Sequence, residues 1–114
     1  MNKTADIHIR VERNPQDDIE TIRWRATDAP MPGPQEAKAM IMALWDAEAH
    51  TSLRIDLWTK EMTVEDMNDF LFLTLLTLAD TYRNATNNDE IMSDIKHFAR
   101  KFADKASKTE QRKA

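Results

Sequence analysis

Ile7, Ile9 and Val11 alternate with His8, Arg10 and Glu12, the two-residue period of a strand with one buried side. The alternation resumes with Ile22, Trp24 and Ala26 against Thr21, Arg23 and Arg25. The intervening Asn14-Pro15-Gln16-Asp17-Asp18 is turn-rich, and the whole reads as an antiparallel hairpin. It lacks an Asn-Gly or Asp-Gly pair, which predicts a turn longer than two residues.

Ala29-Pro30-Met31-Pro32-Gly33-Pro34 holds three of the four prolines and the only glycine, and reads as an ordered or semi-rigid connector. Beyond it Ala37, Met40, Ile41, Leu44 and Trp45 recur at three- and four-residue spacing, predicting a helix from about Gln35 to Ala49 with Pro34 at its first turn. Leu53, Ile55 and Leu57 then alternate with Arg54, Asp56 and Trp58 as a third strand.

Thr63-Val64-Glu65-Asp66 opens a second helix, with a side-chain oxygen at the cap and carboxylates in the first turn. It continues to about Ala85. Val64, Met67, Leu71, Leu75, Leu78 and Tyr82 share one face, while Phe70, Leu73 and Leu76 lie opposite, so its middle is apolar nearly all round. Such a helix is either sandwiched within the fold or shared with another subunit. Asn87-Asn88-Asp89 breaks the chain before a third helix, about Glu90 to Lys105, with the stripe Ile91, Ile95, Phe98, Ala99 and Phe102. The last nine residues are polar and expected to fray.

The expected fold is α+β in the order β-β-α-β-α-α: a small, three-stranded, mainly antiparallel sheet with its helices packed on one face. Strand order 2-1-3 is favoured over 1-2-3. At 114 residues the chain is read as a single domain, 1–114, with a core over about 5–105 and a flexible basic tail at 106–114.

Composition narrows the chemistry. The absence of cysteine removes disulfide scaffolds, thiol catalysis and thiolate metal sites, and a lone glycine removes glycine-rich phosphate loops. His8, His50 and His97 are scattered and form no i, i+4 ligand pair, so no metal and no cofactor is expected. Carboxylate pairs such as Glu65-Asp66 and Asp89-Glu90 stand at helix starts, where the helix dipole accounts for them. No serine stands in a nucleophile elbow. Met40, Met67 and Met92 read as core filler rather than an adaptable groove. The residues point to a non-enzyme.

The first residues are polar where a signal peptide would be apolar, and the longest apolar stretch, Phe70 to Ala79, is about half a bilayer span. The expectation is a cytoplasmic protein without a membrane span. Residues 35–99 carry five Lys or Arg against twelve Asp or Glu, while 100–114 carry six against two. A body of that acidity argues against nucleic acid as a partner.

The strand period sends His8, Arg10, Glu12, Thr21, Arg23, Arg25, Arg54, Asp56 and Trp58 to the side away from the helices. Arginine and tryptophan are enriched at interface hot spots, and guanidinium groups bind carboxylates bidentately. Arg10, Arg23, Arg25, Arg54, Asp56 and Trp58 are therefore the candidate partner-binding residues, against the plainer reading of a solvated face laced by cross-strand ion pairs. Phe70, Leu73 and Leu76 are the candidate surface for a homo-oligomer.

Leu53-Arg54-Ile55-Asp56-Leu57-Trp58-Thr59-Lys60-Glu61-Met62 resembles the gliding-motility-associated GldC family. The likeness extends through Ala26-Thr27-Asp28, Glu36-Ala37-Lys38-Ala39-Met40, Trp45-Asp46, Ala79-Asp80-Thr81, Ala85-Thr86 and the spacing of Phe98 and Phe102. It covers about Ile7 to Lys105; the proline-rich connector departs from the family pattern. The resemblance implies a small accessory of the gliding machinery of surface-moving bacteria, which is coupled to protein secretion. It carries over no catalytic residue. A protein-binding module is thus the leading expectation. A self-associating structural protein and a small-anion binder are the alternatives.

Overall fold

In a computed structural model, residues 3–113 are described; Met1, Asn2 and the tail's last residue, Ala114, lie outside them. The chain is α+β, with seven elements among the described residues. They are β1 (Ile7–Arg13), β2 (Ile19–Ala26), β3 (Gln35–Ala37), β4 (Ala39–Asp46), β5 (Thr51–Trp58), α1 (Val64–Thr86) and α2 (Asp89–Lys113). They fall into two compact units, Met1–Met62 and Thr63–Ala114, the first all strand and the second all helix.

The first unit holds two antiparallel sheets, one ordered β1-β2-β3 and the other β4-β5. The expected hairpin is β1-β2. Asn14 builds its long turn: its Oδ1 accepts from the N–H groups of Gln16 and Asp18, both at 2.9 Å, while Asp17 takes the left-handed conformation at φ 68°. Ile9 pairs with Trp24 and Val11 with Ile22, so the apolar residues share one side, where Ile22 is 1% exposed.

The helix expected over Gln35–Ala49 is not formed; that segment is β3, β4 and the turn after them. Eight of the nine residues from Ala37 to Trp45 are apolar, so the run fits a helical stripe and a strand equally well. Pairing with β5 decides between them: Met40 lies opposite Leu57, Met42 opposite Ile55 and Leu44 opposite Leu53, an apolar ladder on one side. Asp46 closes the hairpin by accepting from Glu48 N–H at 3.0 Å and Ala49 N–H at 3.1 Å, and His50 turns the chain at φ 54°. The rings of Trp45 and His50 meet edge to face at 4.9 Å across the same turn.

Neither 2-1-3 nor 1-2-3, as drawn for the three expected strands, is therefore the sheet order. The third strand of the first sheet is Gln35–Ala37, and the strand expected at Leu53–Trp58 pairs with β4 instead. The two sheets share one run of chain that bends at Lys38. The Lys38 carbonyl accepts from Thr59 N–H at 2.8 Å, and Lys60 N–H reaches Ile19 O at 3.1 Å. The Lys38 ammonium bridges Glu61 at 3.1 Å and Glu36 at 3.3 Å, and these two carboxylates, Glu61 foremost, hold its pKa above the ordinary lysine value.

The second unit is an antiparallel helical hairpin. Thr63 and Asp66 form a reciprocal capping box, with Asp66 N–H to Thr63 Oγ1 at 3.0 Å and Thr63 N–H to Asp66 Oδ2 at 3.2 Å. Asn87 ends α1 in the left-handed conformation at φ 58°, and the Asn88 side chain accepts from Ile91 N–H at 3.0 Å to start α2. Fully buried Ala79 and Ala99 lie between two bridges, Lys96–Asp80 at 2.8 Å and Asn68–Glu110 at 2.7 Å. The helix expected to stop near Lys105 runs on to Lys113, and the Asn68–Glu110 bond explains why: it ties the extra turns to α1.

Candidate functional site

In the first sheet β1 and β2 send their polar residues to a common side, and the register sets one arginine against another. Arg10 lies directly opposite Arg23, and His8 directly opposite Arg25. Like charges placed as those of Arg10 and Arg23 destabilise a sheet by about 0.2–1 kcal/mol. Arg23 is partly compensated: it faces Glu36 across β3 and reaches Glu12 at 3.7 Å. Glu12 also accepts from the Thr21 hydroxyl at 3.2 Å. Among the described residues Arg10 and Arg25 make no ion pair.

These side chains border a shallow cavity of about 480 Å³ lined by His8, Arg10, Arg23, Arg25 and Pro34, with Ile9 and Trp24. A smaller hollow of about 270 Å³ adjoins it, sharing His8 and Arg25 and adding Asp6, Thr27 and Gly33. The proline-rich connector thus supplies part of the wall. Gly33 takes φ 78°, which a residue without Cβ adopts freely, just before the chain enters β3. On the other side of this sheet an apolar hollow of about 260 Å³ is lined by Ile7, Ile9, Ile22 and Trp24 together with Ala37, Ala39 and Met40.

Of the six candidate partner-binding residues, the structure gathers Arg10, Arg23 and Arg25. Arg54, Asp56 and Trp58 belong to the second sheet. There Arg54 pairs with Asp56 at 3.1 Å, and both share a side with Trp58, which is 55% exposed. A single arginine face spanning all three expected strands is not formed, because the third of them joined another sheet. The apolar phase also changes across Lys38: Ala37 shares a side with Ile22, while in β4 the even-numbered Met40, Met42 and Leu44 form the ladder.

Two wall residues escaped the sequence selection. The strand period alone places His8 on the outward side, and its position opposite Arg25 follows from the hairpin register. Pro34 leads into β3 and does not start a helix. The clustered prolines beside two basic strands were the available signal.

In α1, Leu73 is 58% exposed, with Phe70 and Leu76 half-buried. Leu78 and Val64 are exposed as well. Arg83 and Asp89 close the interhelical turn at 2.6 Å, and that bond raises the Arg83 pKa above its ordinary value.

Among the described residues no cluster of three or more His, Asp or Glu is placed to hold a metal ion, and no helix is long and apolar enough to cross a membrane. Comparison with protein families matches residues 19–108 to the family described as gliding motility-associated protein GldC-like. No curated protein and no solved structure matches the chain.

Proposed function

The chain belongs to the GldC-like family of gliding motility-associated proteins, and on that premise we propose that it is a non-enzymatic, cytoplasmic accessory of that machinery, holding a protein partner on the basic side of its first sheet. The observation that carries this reading is the register of β1 and β2. It aligns Arg10 with Arg23 and His8 with Arg25, and leaves Arg10 and Arg25 without acidic partners among the described residues. Charge set against charge weakens the sheet, and a ligand that supplies carboxylates relieves the repulsion on binding.

The test is affinity isolation from the native cell with three baits: the unaltered protein, Arg10→Glu/Arg25→Glu, and Arg54→Glu/Trp58→Ala. Each variant is first checked for an unchanged circular dichroism spectrum. Loss of the co-purified proteins with the first variant alone supports the reading. Equal recovery with all three refutes it, and loss with the second variant alone moves the contact to the β4-β5 sheet.

A second reading, self-association through α1, rests on the exposure of Leu73 and Leu78 beside half-buried Phe70 and Leu76. Sedimentation equilibrium over a range of concentrations decides it. A dimer that Leu73→Asp dissociates supports the reading, and a monomer throughout excludes it.

A further inference from the structure

We propose that the partner contributes an extended segment of alternating acidic and apolar residues, which adds as a further strand to the outer edge of β1. The proposal rests on the reading of the basic side as a protein-binding surface and specifies what that surface recognises.

Three observations converge on the edge. First, β1 is terminal in the β1-β2-β3 order, so among the described residues its outer backbone groups have no strand to pair with. Its pairing with β2 is regular from Ile7 to Glu12 and shifts between Glu12 and Arg13, so the regular edge is six residues long. Second, the two sides of that edge differ in chemistry. On one side stand His8, Arg10, Arg23 and Arg25 around the 480 Å³ cavity. On the other stand Ile7, which is 73% exposed, and Ile9 beside the 260 Å³ apolar hollow. A strand laid along β1 presents successive side chains to opposite sides. Carboxylates at every second position meet the cations, and apolar residues between them meet Ile7 and Ile9. Main-chain hydrogen bonds supply affinity, and the alternation supplies specificity.

Third, charge selects the occupant. A second copy pairing through its own β1 brings another Arg10 to a side that already holds Arg10, Arg23 and Arg25. Glu12, the one carboxylate on the polar side of β1, is engaged by Arg23 and Thr21 within its own sheet. An acidic strand removes the repulsion between Arg10 and Arg23 that self-pairing deepens.

The experiment uses the full chain and a fluorescein-labelled peptide of alternating Glu and Val, with binding read by fluorescence anisotropy. Two comparison peptides share its composition: one groups the Glu and Val residues into separate blocks, and the other is methylated on alternate backbone nitrogens. The expected result is saturable binding of the alternating peptide, weakened about tenfold or more by Arg10→Glu and by either comparison peptide. Equal binding of the methylated peptide overturns strand addition. Equal binding of the block peptide overturns the pattern. Full displacement by inorganic phosphate at moderate concentration converts the site into a small-anion site and also overturns the proposal. Sedimentation without peptide, showing a dimer that Arg10→Glu strengthens, assigns the edge to a second copy instead. If the alternating peptide fails to bind while recovery of native partners still depends on Arg10 and Arg25, the strand-addition proposal falls and the protein-binding reading stands.

Discussion

Replacing Arg10 by Gln should make the protein more stable. Arg10 faces Arg23 directly across the β1-β2 ladder, with Arg25 one pair further along on the same side. The nearest compensating carboxylate, Glu12, is shared between Arg23 at 3.7 Å and the Thr21 hydroxyl at 3.2 Å. Glutamine keeps most of the aliphatic stem and removes the charge, without the gain in strand propensity that Thr or Val would bring. The expected gain is one like-charge cross-strand pair, about 0.2–1 kcal/mol, read as a higher urea midpoint at unchanged m-value. Two controls isolate the cause. Raising the salt concentration should shrink the difference, because screening already relieves the repulsion in the unaltered protein. Glu12→Gln should act in the opposite direction by removing the carboxylate that offsets Arg23. A less stable Arg10→Gln protein, or a gain indifferent to salt, would refute the claim that the register stores electrostatic repulsion at this site. A gain in stability accompanied by loss of partner binding is the trade expected where a surface is shaped for a ligand.

Ala79→Leu should destabilise the helical hairpin by about 1–3 kcal/mol in urea titration, since Ala79 is fully buried and the added methyl groups have no space to enter. Asp46→Ala should cost about 1–2 kcal/mol, because its Oδ1 satisfies two turn N–H groups, and amide exchange at Glu48 and Ala49 should accelerate most. The raised Lys38 pKa fixes a sign: its contribution is fully present below the ordinary lysine value of 10.5 and is lost as pH rises through the higher folded value. The unaltered protein should therefore exceed Lys38→Met in thermal midpoint near neutrality, and the difference should close only at strongly alkaline pH.

The first hairpin and the capping of both helices are legible in the sequence, because each depends on local chemistry; the helix stripes are legible only in part, since Val64, Leu78, Ile91 and Phe98 are exposed. Asn14 and its neighbours announce a turn, Thr63 announces a helix start, and Asn87-Asn88 announces a break. The misreading of Ala37–Trp45 has an equally physical origin. Ala, Met and Leu favour helices intrinsically, and a run apolar at almost every position has no single period, so only its partner strand decides. That partner is β5, Thr51–Trp58, whose alternation over Leu53–Trp58 marks it as a strand in the sequence. What escaped was that β4 and β5 pair with each other, closed by an Asp46-centred turn rather than by glycine or proline. The split of the arginine set follows from that one error. Arg10, Arg23 and Arg25 belong to a hairpin whose register is local, whereas grouping Arg54 with them required a sheet that the Lys38 bend divides. The outer turns of α2 were missed because the Asn68–Glu110 bond joins residues far apart in sequence.

The bend at Lys38 also governs which insertions and deletions this fold can absorb. Adding one residue to each arm of the β4-β5 hairpin beside its turn would lengthen the ribbon and leave the pairing of β1, β2 and β3 as it is. One residue added at Lys38 would have the opposite effect, turning over each side chain from Ala39 to Asp46 relative to Ile22 and breaking the Thr59 and Lys60 links to Lys38 and Ile19. Length variation among relatives should accordingly gather at Ala47–His50, with the spacing between Ala37 and Ala39 held fixed.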